Sequence, residues 1–510
     1  MRVLAIDLGT SGVKVAVVGE DGRTLGSSTT PLPTTLTPDG GAEQDAEDWW
    51  TAIGSSSRAA TAAAGGASGI GAVAVTSQYM STLAVDRHGL PMSPVIMWMD
   101  HRGGAHHPVL RDREAFSVWL GRHGLPPLSN DGLAHIGLLR HRDPSLVDRG
   151  ACFVEPVDAI VGRLTGRVTA NQNSAFGLML VDNTVHGIAA YDPEFLRRSG
   201  IEIGWLPELL PFGVPAGGLL PSAAEHLGVP VSAVVMGGTI DSITSAVGTG
   251  AIGPHSISLV LGTTSVMVSH VAAKRADHAH AISAVPSPVG GQYFVMAENG
   301  AGGKALDFVL RDLVYADDAL ALGRFPDDAF ERAEVAAATA TPGSGGTMFF
   351  PWLVGSVSPA PDDHLRAGFA NLGLTTTRAD MIRAVMEGVA LNAAWLFGPV
   401  RSFTGVEHDS IRFGGGGARS ELWASILAHA LGVPVHQLAD PANTNARGAA
   451  LLALVQLGRL SLDDIPALLP VHRVHEPDAG LVVLYAELRE RFTEYHGLTR
   501  GFHASLSRHP

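Results

Sequence analysis

The pattern of apolar and polar positions divides the chain into short extended segments and longer helical ones. Residues 3–18 are apolar on both sides of a Gly, Thr and Ser cluster, which predicts a strand, a tight turn and a second strand. Residues 71–78 predict a short buried strand, whereas residues 381–397 carry apolar side chains at helical spacing. Ser420 is the predicted cap of a further helix that stops at Gly432. The chain is therefore predicted to combine strand hairpins with buried helices.

The strand–turn–strand segment has a counterpart in the second half of the chain. Residues 8–15 and residues 261–268 are identical at five of eight positions. A chance match is the alternative, because Gly and Val are frequent in this sequence. The same segment opening both halves favours duplication of one domain type, with domains at residues 1–248 and 249–510.

Length and composition favour two large folded domains. At 510 residues the chain is too long for one compact core, and its 46% apolar and 16% charged residues argue against disorder. The net charge of −14, without a basic stripe, argues against nucleic acid and membrane partners. Cys152 is the single cysteine, which excludes an internal disulfide. With neither a signal peptide nor an apolar stretch of bilayer length, we expect a cytoplasmic protein.

The first turn is a candidate phosphate-binding loop. A turn built from Gly9, Thr10 and Ser11 exposes backbone N–H groups and hydroxyls that can hold phosphate oxygens. Asp7, at the end of the preceding buried strand, is a candidate ligand of hydrated Mg²⁺. Lys14 adds positive charge nearby. An ordinary hairpin with a favourable turn sequence is the alternative interpretation.

Two further glycine-containing segments have the same character. Gly262 and Thr263 repeat the first loop, and two such loops facing one cleft can hold one nucleotide from both sides. Residues 414–417 are four consecutive glycines between a predicted strand and the helix capped by Ser420. Such a turn lets the backbone approach a flat ligand or a phosphate. Close packing of a helix on a strand is the alternative.

Asp241 follows a buried strand and two glycines and stands where the next helix starts. Asp is a favoured helix N-cap, so a structural role is one interpretation. A general base that accepts the proton of a substrate hydroxyl is the other, since one carboxylate is enough for that step.

In this order the motifs resemble those of the FGGY carbohydrate kinases, and within them the xylulokinase-like branch. The resemblance covers nearly the whole chain. It is carried by AIDLGTSGVK, PVIMWMDHRG, RLTG, GGTIDS, LGTTS, EGVALN and GGGARSELWASILAHALGVPV.

The resemblance implies an α/β fold with two actin-like ATPase domains of the ribonuclease H type, which flank a central cleft for ATP, Mg²⁺ and a sugar or polyol. It implies that Asp241 is the catalytic base and contacts the substrate, and that Asp7 lies near Mg²⁺. The nucleotide is expected at Gly9, Thr10, Ser11, Lys14, Gly262, Thr263, Gly303, Gly416, Gly417 and Ser420. The sugar is expected at Gln78, Tyr79, Met80, Trp98 and Asp100. A homodimer is possible.

The sequence departs from the xylulokinase pattern on the sugar side. Gln78-Tyr79-Met80 stands where these enzymes usually have Gln-Met-His, and Met99 stands where they usually have Asn. An acidic residue common in the family is missing near Asn445. These changes predict a less polar pocket and leave the carbohydrate open. The alternative to a carbohydrate kinase is a nucleotide-switched binding protein like actin or a chaperone, or a kinase relative without catalysis.

Overall fold

The computed structural model describes residues 1–319 and 324–506. The strands of the first half are β1 Arg2–Leu8, β2 Gly12–Gly19, β3 Thr24–Pro31, β4 Thr35–Leu36, β5 Ala42–Gln44, β6 Ile70–Ser77, β7 Leu83–Val85, β8 Val95–Ile96, β9 Cys152–Val154, β10 Thr169–Asn171, β11 Glu208–Leu210, β12 Pro215–Gly218, β13 Val234–Met236 and β14 Thr239–Ile240. Its helices are α1 Ala46–Ala63, α2 Arg113–Arg122, α3 Gly132–Arg142, α4 Ser145–Asp148, α5 Pro156–Thr165, α6 Pro193–Ser199, α7 Pro221–Leu227 and α8 Asp241–Thr249.

The second half contains a similar mixture of strands and helices. Its strands are β15 Ser258–Leu261, β16 Thr264–Val271, β17 Ala276–Asp277, β18 Ile282–Pro286, β19 Tyr293–Ala301, β20 Met348–Phe350, β21 Gly368–Ala370, β22 Ile411–Gly414, β23 Val435–Leu438 and β24 Val471–His475. Its helices are α9 Gly303–Phe308, α10 Ala329–Thr339, α11 Arg378–Thr404, α12 Glu421–Leu431, α13 Thr444–Gln456 and α14 Ala479–Leu506. No helix in the described ranges is long and apolar enough to cross a membrane.

The large sheets of the two halves have the same core topology. In the first sheet the order is β12-β13-β6-β1-β2-β3, with β1, β2 and β3 antiparallel and β6 parallel to β1. In the second sheet β19-β16-β15 are antiparallel, and β22 and β23 continue in parallel. An antiparallel hairpin extended by parallel strands therefore occurs twice, as duplication predicts.

Both predicted hairpins form, but their turns differ in length. The amide of Gly9 donates to the carbonyl of Gly12, whereas the amide of Gly262 donates to the carbonyl of Thr264. The second turn is one residue shorter, so the octamers match in space only up to the turn. The predicted helix at residues 381–397 lies within α11.

The side chain of Ser420 accepts a hydrogen bond from the amide of Trp423 and caps α12, which ends before Gly432. Both features agree with the predicted cap and stop.

Helices α8 and α13 cross between the two large sheets. Gly248 of α8 and Gly448 of α13 form the crossing, where a Cβ atom on either glycine would overlap a backbone carbonyl oxygen of the other helix. The alanine-rich face of α13 packs against Val3 and Ala5 of the first sheet, although α13 comes after strands of the second sheet in the sequence. This crossing holds the start of α8, with Asp241, at the junction of the two halves.

Candidate active site

Three strands of the first sheet end together and bring the main candidates to one edge. Asp7 of β1 is the register partner of Thr76 in β6, and Ile240 of β14 is the partner of Ser77. Gln78 and Asp241 directly follow these paired positions. The carboxyl ends of parallel strands are the usual place for ligands in open α/β sheets.

Asp241 is the first residue of α8, and Ile240 occupies the N-cap position. The Asp241 carboxylate accepts a hydrogen bond from the hydroxyl of Ser242 at 3.3 Å, and a hydrogen bond from the Ser242 backbone also lowers its pKa. Burial raises the pKa of Asp241 to about 7, and the charges of Asp7 and then Glu298 add to the rise. The N-cap interpretation therefore does not describe this residue, whose carboxylate is available to a ligand.

The first loop borders a cavity of about 260 Å³, whose lining includes Asp7, Gly9, Ser11 and Lys14. Asp7 and Lys14 are register partners in the β1–β2 hairpin, so their side chains share one face. Burial raises the pKa of Asp7, while Lys14 and Asn445 oppose the rise. The ammonium of Lys14 also donates to the carbonyl of Ala442, just before α13. The loop is thus a concave, partly charged surface that contacts the second half of the chain.

Thr10 connects this loop to the predicted sugar side. Its hydroxyl donates to Oε1 of Gln78 at 2.9 Å and accepts from Nε1 of Trp98 at 3.1 Å. The Thr10 side chain therefore lies with the sugar-side candidates, although the family resemblance assigns Thr10 to the nucleotide.

The second loop packs on the start of α9. The carbonyl of Gly262 accepts from the amide of Gly303, and the carbonyl of Thr263 accepts from the amides of Gly302 and Lys304. A Cβ on Gly303 would lie 2.7 Å from the Gly262 oxygen, so this glycine permits the close approach. The exposed Thr263 remains accessible to a phosphate.

Close packing accounts for most of the tetraglycine turn. Gly415 has φ +81°, and a Cβ there would lie 2.7 Å from the carbonyl oxygen of Leu261. A Cβ on Gly417 would overlap the Leu261 side chain, and one on Gly414 would approach Thr249. Gly416 alone of the four has open space at its Cβ position. The packing interpretation therefore holds for three glycines, and Gly416 is the one that faces space for a ligand.

The loop after β6 reaches the second sheet. Met80 has φ +58°, an unfavourable value for a residue with a side chain. The carboxylate of Glu155 accepts from the amide of Ser81 at 3.3 Å and supports this conformation. The Tyr79 hydroxyl donates to Sδ of Met296 in β19 at 3.1 Å. Tyr79 therefore spans the space between the two halves next to Asp241.

Trp98 and Asp100 have different surroundings although they are close in sequence. Trp98 is 37% exposed, as expected for a ring that can stack on a sugar. Asp100 is fully buried, and its oxygens accept from the Arg102 guanidinium and the Ala42 amide. Burial opposes ionisation of Asp100, but these donors hold its pKa below the usual value. Asp100 thus supports the loop that presents Trp98 and does not offer a free carboxylate.

The sequence analysis did not identify three residues of the site as ligand-binding candidates: Ser242, Glu298 and Asn445. Ser242 contacts Asp241, and Asn445 hydrogen-bonds Asp7. Glu298 lies on β19 and acts electrostatically on both Asp241 and Tyr79. Their sequence signal is weak, because each comes near the site through tertiary packing. For Glu298, the available sign was the alternation of side chains along the strand, which places it on the face opposite to buried Val295 and Ala297.

Similar proteins match this chain over most of their length. The chain is 25% identical to a xylulose kinase of Staphylococcus epidermidis over 99% of this chain and 98% of that one. It is 27% identical to a glycerol kinase of Citrifermentans bemidjiense over 97% and 96%. The structures of a xylulose kinase and a gluconate kinase from Lactobacillus acidophilus each superpose with a TM-score of 0.84 at 20% identity, over 99% of both chains.

These structures confirm the predicted fold: two α/β domains of the actin-like, ribonuclease H-like type. None of the relatives supports the alternative of a nucleotide-switched binding protein. Residues 2–248 match the model of the FGGY carbohydrate kinase N-terminal domain, and residues 257–457 match that of the C-terminal domain. The chain therefore belongs to the FGGY family of carbohydrate kinases.

Proposed function

We propose that this enzyme transfers the γ-phosphoryl group of ATP to a hydroxyl of a ketose or polyol, with Asp241 as the general base. The observation that carries the proposal is the Asp241 carboxylate, which lies at the start of α8 and near Asp7 at the junction of the two halves. A carboxylate with a pKa raised to about 7 is well matched to proton transfer near neutral pH. Phosphoryl transfer otherwise needs positioning and charge neutralisation.

The nucleotide side is proposed to use both hairpin turns. Amides of the first turn and the ammonium of Lys14 would contact phosphate oxygens in the cavity that they border. Thr263 of the second turn would contact the phosphates from the other domain. Gly416, with open space at its Cβ position, and the start of α12 would lie against the rest of the nucleotide.

The residues at the first loop fit Mg²⁺. Asp7 is a buried carboxylate that opens onto the cavity, and Mg²⁺ is commonly held by one or two carboxylates, water and substrate phosphates. When bound, the ion would supply positive charge to the phosphates. Asp7 is therefore the proposed protein ligand, with its orientation supported by Asn445.

The acceptor is proposed to lie between Trp98, Gln78 and Asp241. Relatives named xylulose kinase make D-xylulose the first candidate, and the glycerol kinase relative keeps other polyols open. Met80 and Met99 replace polar residues of the xylulokinase pattern, so the site is also compatible with an acceptor other than D-xylulose. A homodimer, a cytoplasmic location and a domain division after residue 248 stay predictions.

A coupled ADP-release screen tests the proposed function. The purified chain with Mg-ATP is assayed against pentuloses, hexuloses, pentitols, glycerol and sugar acids. We expect ADP release to depend on one ketose or polyol and to exceed the basal ATPase rate at least about tenfold. A basal rate that no acceptor changes would contradict the proposal.

The raised pKa of Asp241 predicts the pH dependence of phosphorylation. Only the carboxylate form accepts a proton, so kcat/KM for the acceptor should rise with pH and level off above about 7. At two pH units below this pKa the rate should fall about 100-fold, because the protonated fraction dominates. Initial rates with a constant free Mg²⁺ concentration measure the profile. A flat profile between pH 5 and 8 would contradict the assignment.

A further inference from the structure

The cleft-facing side of β19 meets the loop that follows β6. Val295 and Ala297 are fully buried in the second domain, whereas Met296 and Glu298 are half-buried on the opposite face of the strand. Met296 contacts the hydroxyl of Tyr79, as described above. Two residues along a strand span about 7 Å, so Glu298 lies near the same side chain.

Glu298 carries a carboxylate without a protein partner. Within residues 1–319 and 324–506 its oxygens make neither an ion pair nor a hydrogen bond. Burial raises the pKa of Glu298. Burial also raises the pKa of the Tyr79 hydroxyl, and the charges of Glu298 and Asp241 raise it further. A half-buried carboxylate beside the general base is unfavourable unless a ligand donates hydrogen bonds to it.

The charge around this position limits the ligand. Glu298 adds negative charge to that of Asp241, whose pKa it helps to raise. Within the described residues no cation pairs with Glu298, and Lys14, which borders the cavity beside Asp7, already donates to a carbonyl of the second domain. Hydroxyl groups donate to carboxylates, whereas the carboxylate of a sugar acid would be repelled by both residues.

We propose that Glu298 binds a hydroxyl of the acceptor from the second domain and selects uncharged ketoses and polyols over sugar acids. This inference rests on the proposed function, because it names a contact to the same acceptor. It also supplies a polar group at a site where Met80 and Met99 replace the polar residues of the xylulokinase pattern. Specificity would then depend on both domains closing on the acceptor.

The test compares Glu298→Gln with the wild type on the preferred neutral acceptor and on sugar acids. Gln keeps the size of the side chain and removes its charge. We expect KM for the neutral acceptor to rise about tenfold, since a charged hydrogen bond becomes a neutral one, with kcat changed less than about threefold. The ratio of kcat/KM for sugar acid to that for the neutral acceptor should rise by at least about tenfold. KM for ATP should not change.

Glu331→Gln is the matched control, since Glu331 is an exposed glutamate on α10 that is not among the proposed site residues. It should leave all these constants unchanged. An unchanged KM for the neutral acceptor, or an unchanged ratio, in Glu298→Gln would overturn the inference while leaving the kinase proposal intact. If the wild type phosphorylates no acceptor, the proposed function itself fails. Thermal-shift titration with neutral polyols and sugar acids then decides the inference: equal shifts in wild type and Glu298→Gln would reject it.

Discussion

Replacement of Asp241 by Asn is expected to lower kcat for the acceptor by about 10²–10⁴-fold, the range for loss of a general base. Asn has nearly the same shape, but its amide cannot accept the hydroxyl proton. The N-cap position of α8 belongs to Ile240, and Asn can still accept the hydrogen bond from Ser242, so the helix should lose little stability. Removing a buried carboxylate with a raised pKa should even relieve some desolvation cost at neutral pH. Steady-state ADP release and a thermal melt measure the two effects.

Asp45→Asn is the matched control for this chemistry. Asp45 caps α1 through the amide of Glu47 and is exposed, and Asn caps helices about as well as Asp. This variant should keep both its kcat and its melting temperature. Full turnover in Asp241→Asn would reject the assigned role, and an equal loss in Asp45→Asn would show that the assay reports general damage.

Sequence reasoning predicted the parts of the fold and site that depend on local pattern. The repeated octamer predicted both hairpins, because a Gly-Thr turn between apolar strands has few alternative conformations. It did not show that the second turn is shorter by one residue, since pairing register depends on the partner strand. The strand and the glycines before Asp241 predicted that it stands at the start of a helix. They did not show that Ile240 takes the N-cap position and leaves Asp241 as the first helical residue.

Side-chain directions and contacts between the domains could not be predicted from the sequence. The Thr10 hydroxyl turns to Gln78 and Trp98 because those side chains come from other loops. Asp100 is neutralised by Arg102, a pairing that two-residue spacing allows but does not require. Glu298 carries no motif of its own, and its approach to Tyr79 depends on how the domains meet. Such contacts are set by tertiary packing.

The crossing of α8 and α13 is where a single methyl group should cause the largest structural effect. In Gly448→Ala the new Cβ would overlap the Thr244 carbonyl oxygen and lie 2.7 Å from the Gly248 amide nitrogen. Backbone atoms cannot rotate away as a side chain can, so one helix must shift. We expect the free energy of unfolding to fall by about 3 kcal/mol, the upper end of the usual range for overpacking.

The same shift should reach catalysis, because α8 begins at Asp241 and α13 begins beside the contact between Lys14 and Ala442. Misplacement of a reacting group by about 1 Å can lower a rate about 100-fold. Gly448→Ala should therefore lose kcat even at temperatures where it remains folded, as denaturant titration and ADP release on the same samples will show. Gly497→Ala is the control: its Cβ would meet nothing within 4 Å and it lies inside α14, so this variant should gain up to about 1 kcal/mol in its free energy of unfolding. Wild-type stability in Gly448→Ala would mean that the two helices can separate freely, and the position of Asp241 would then need another support.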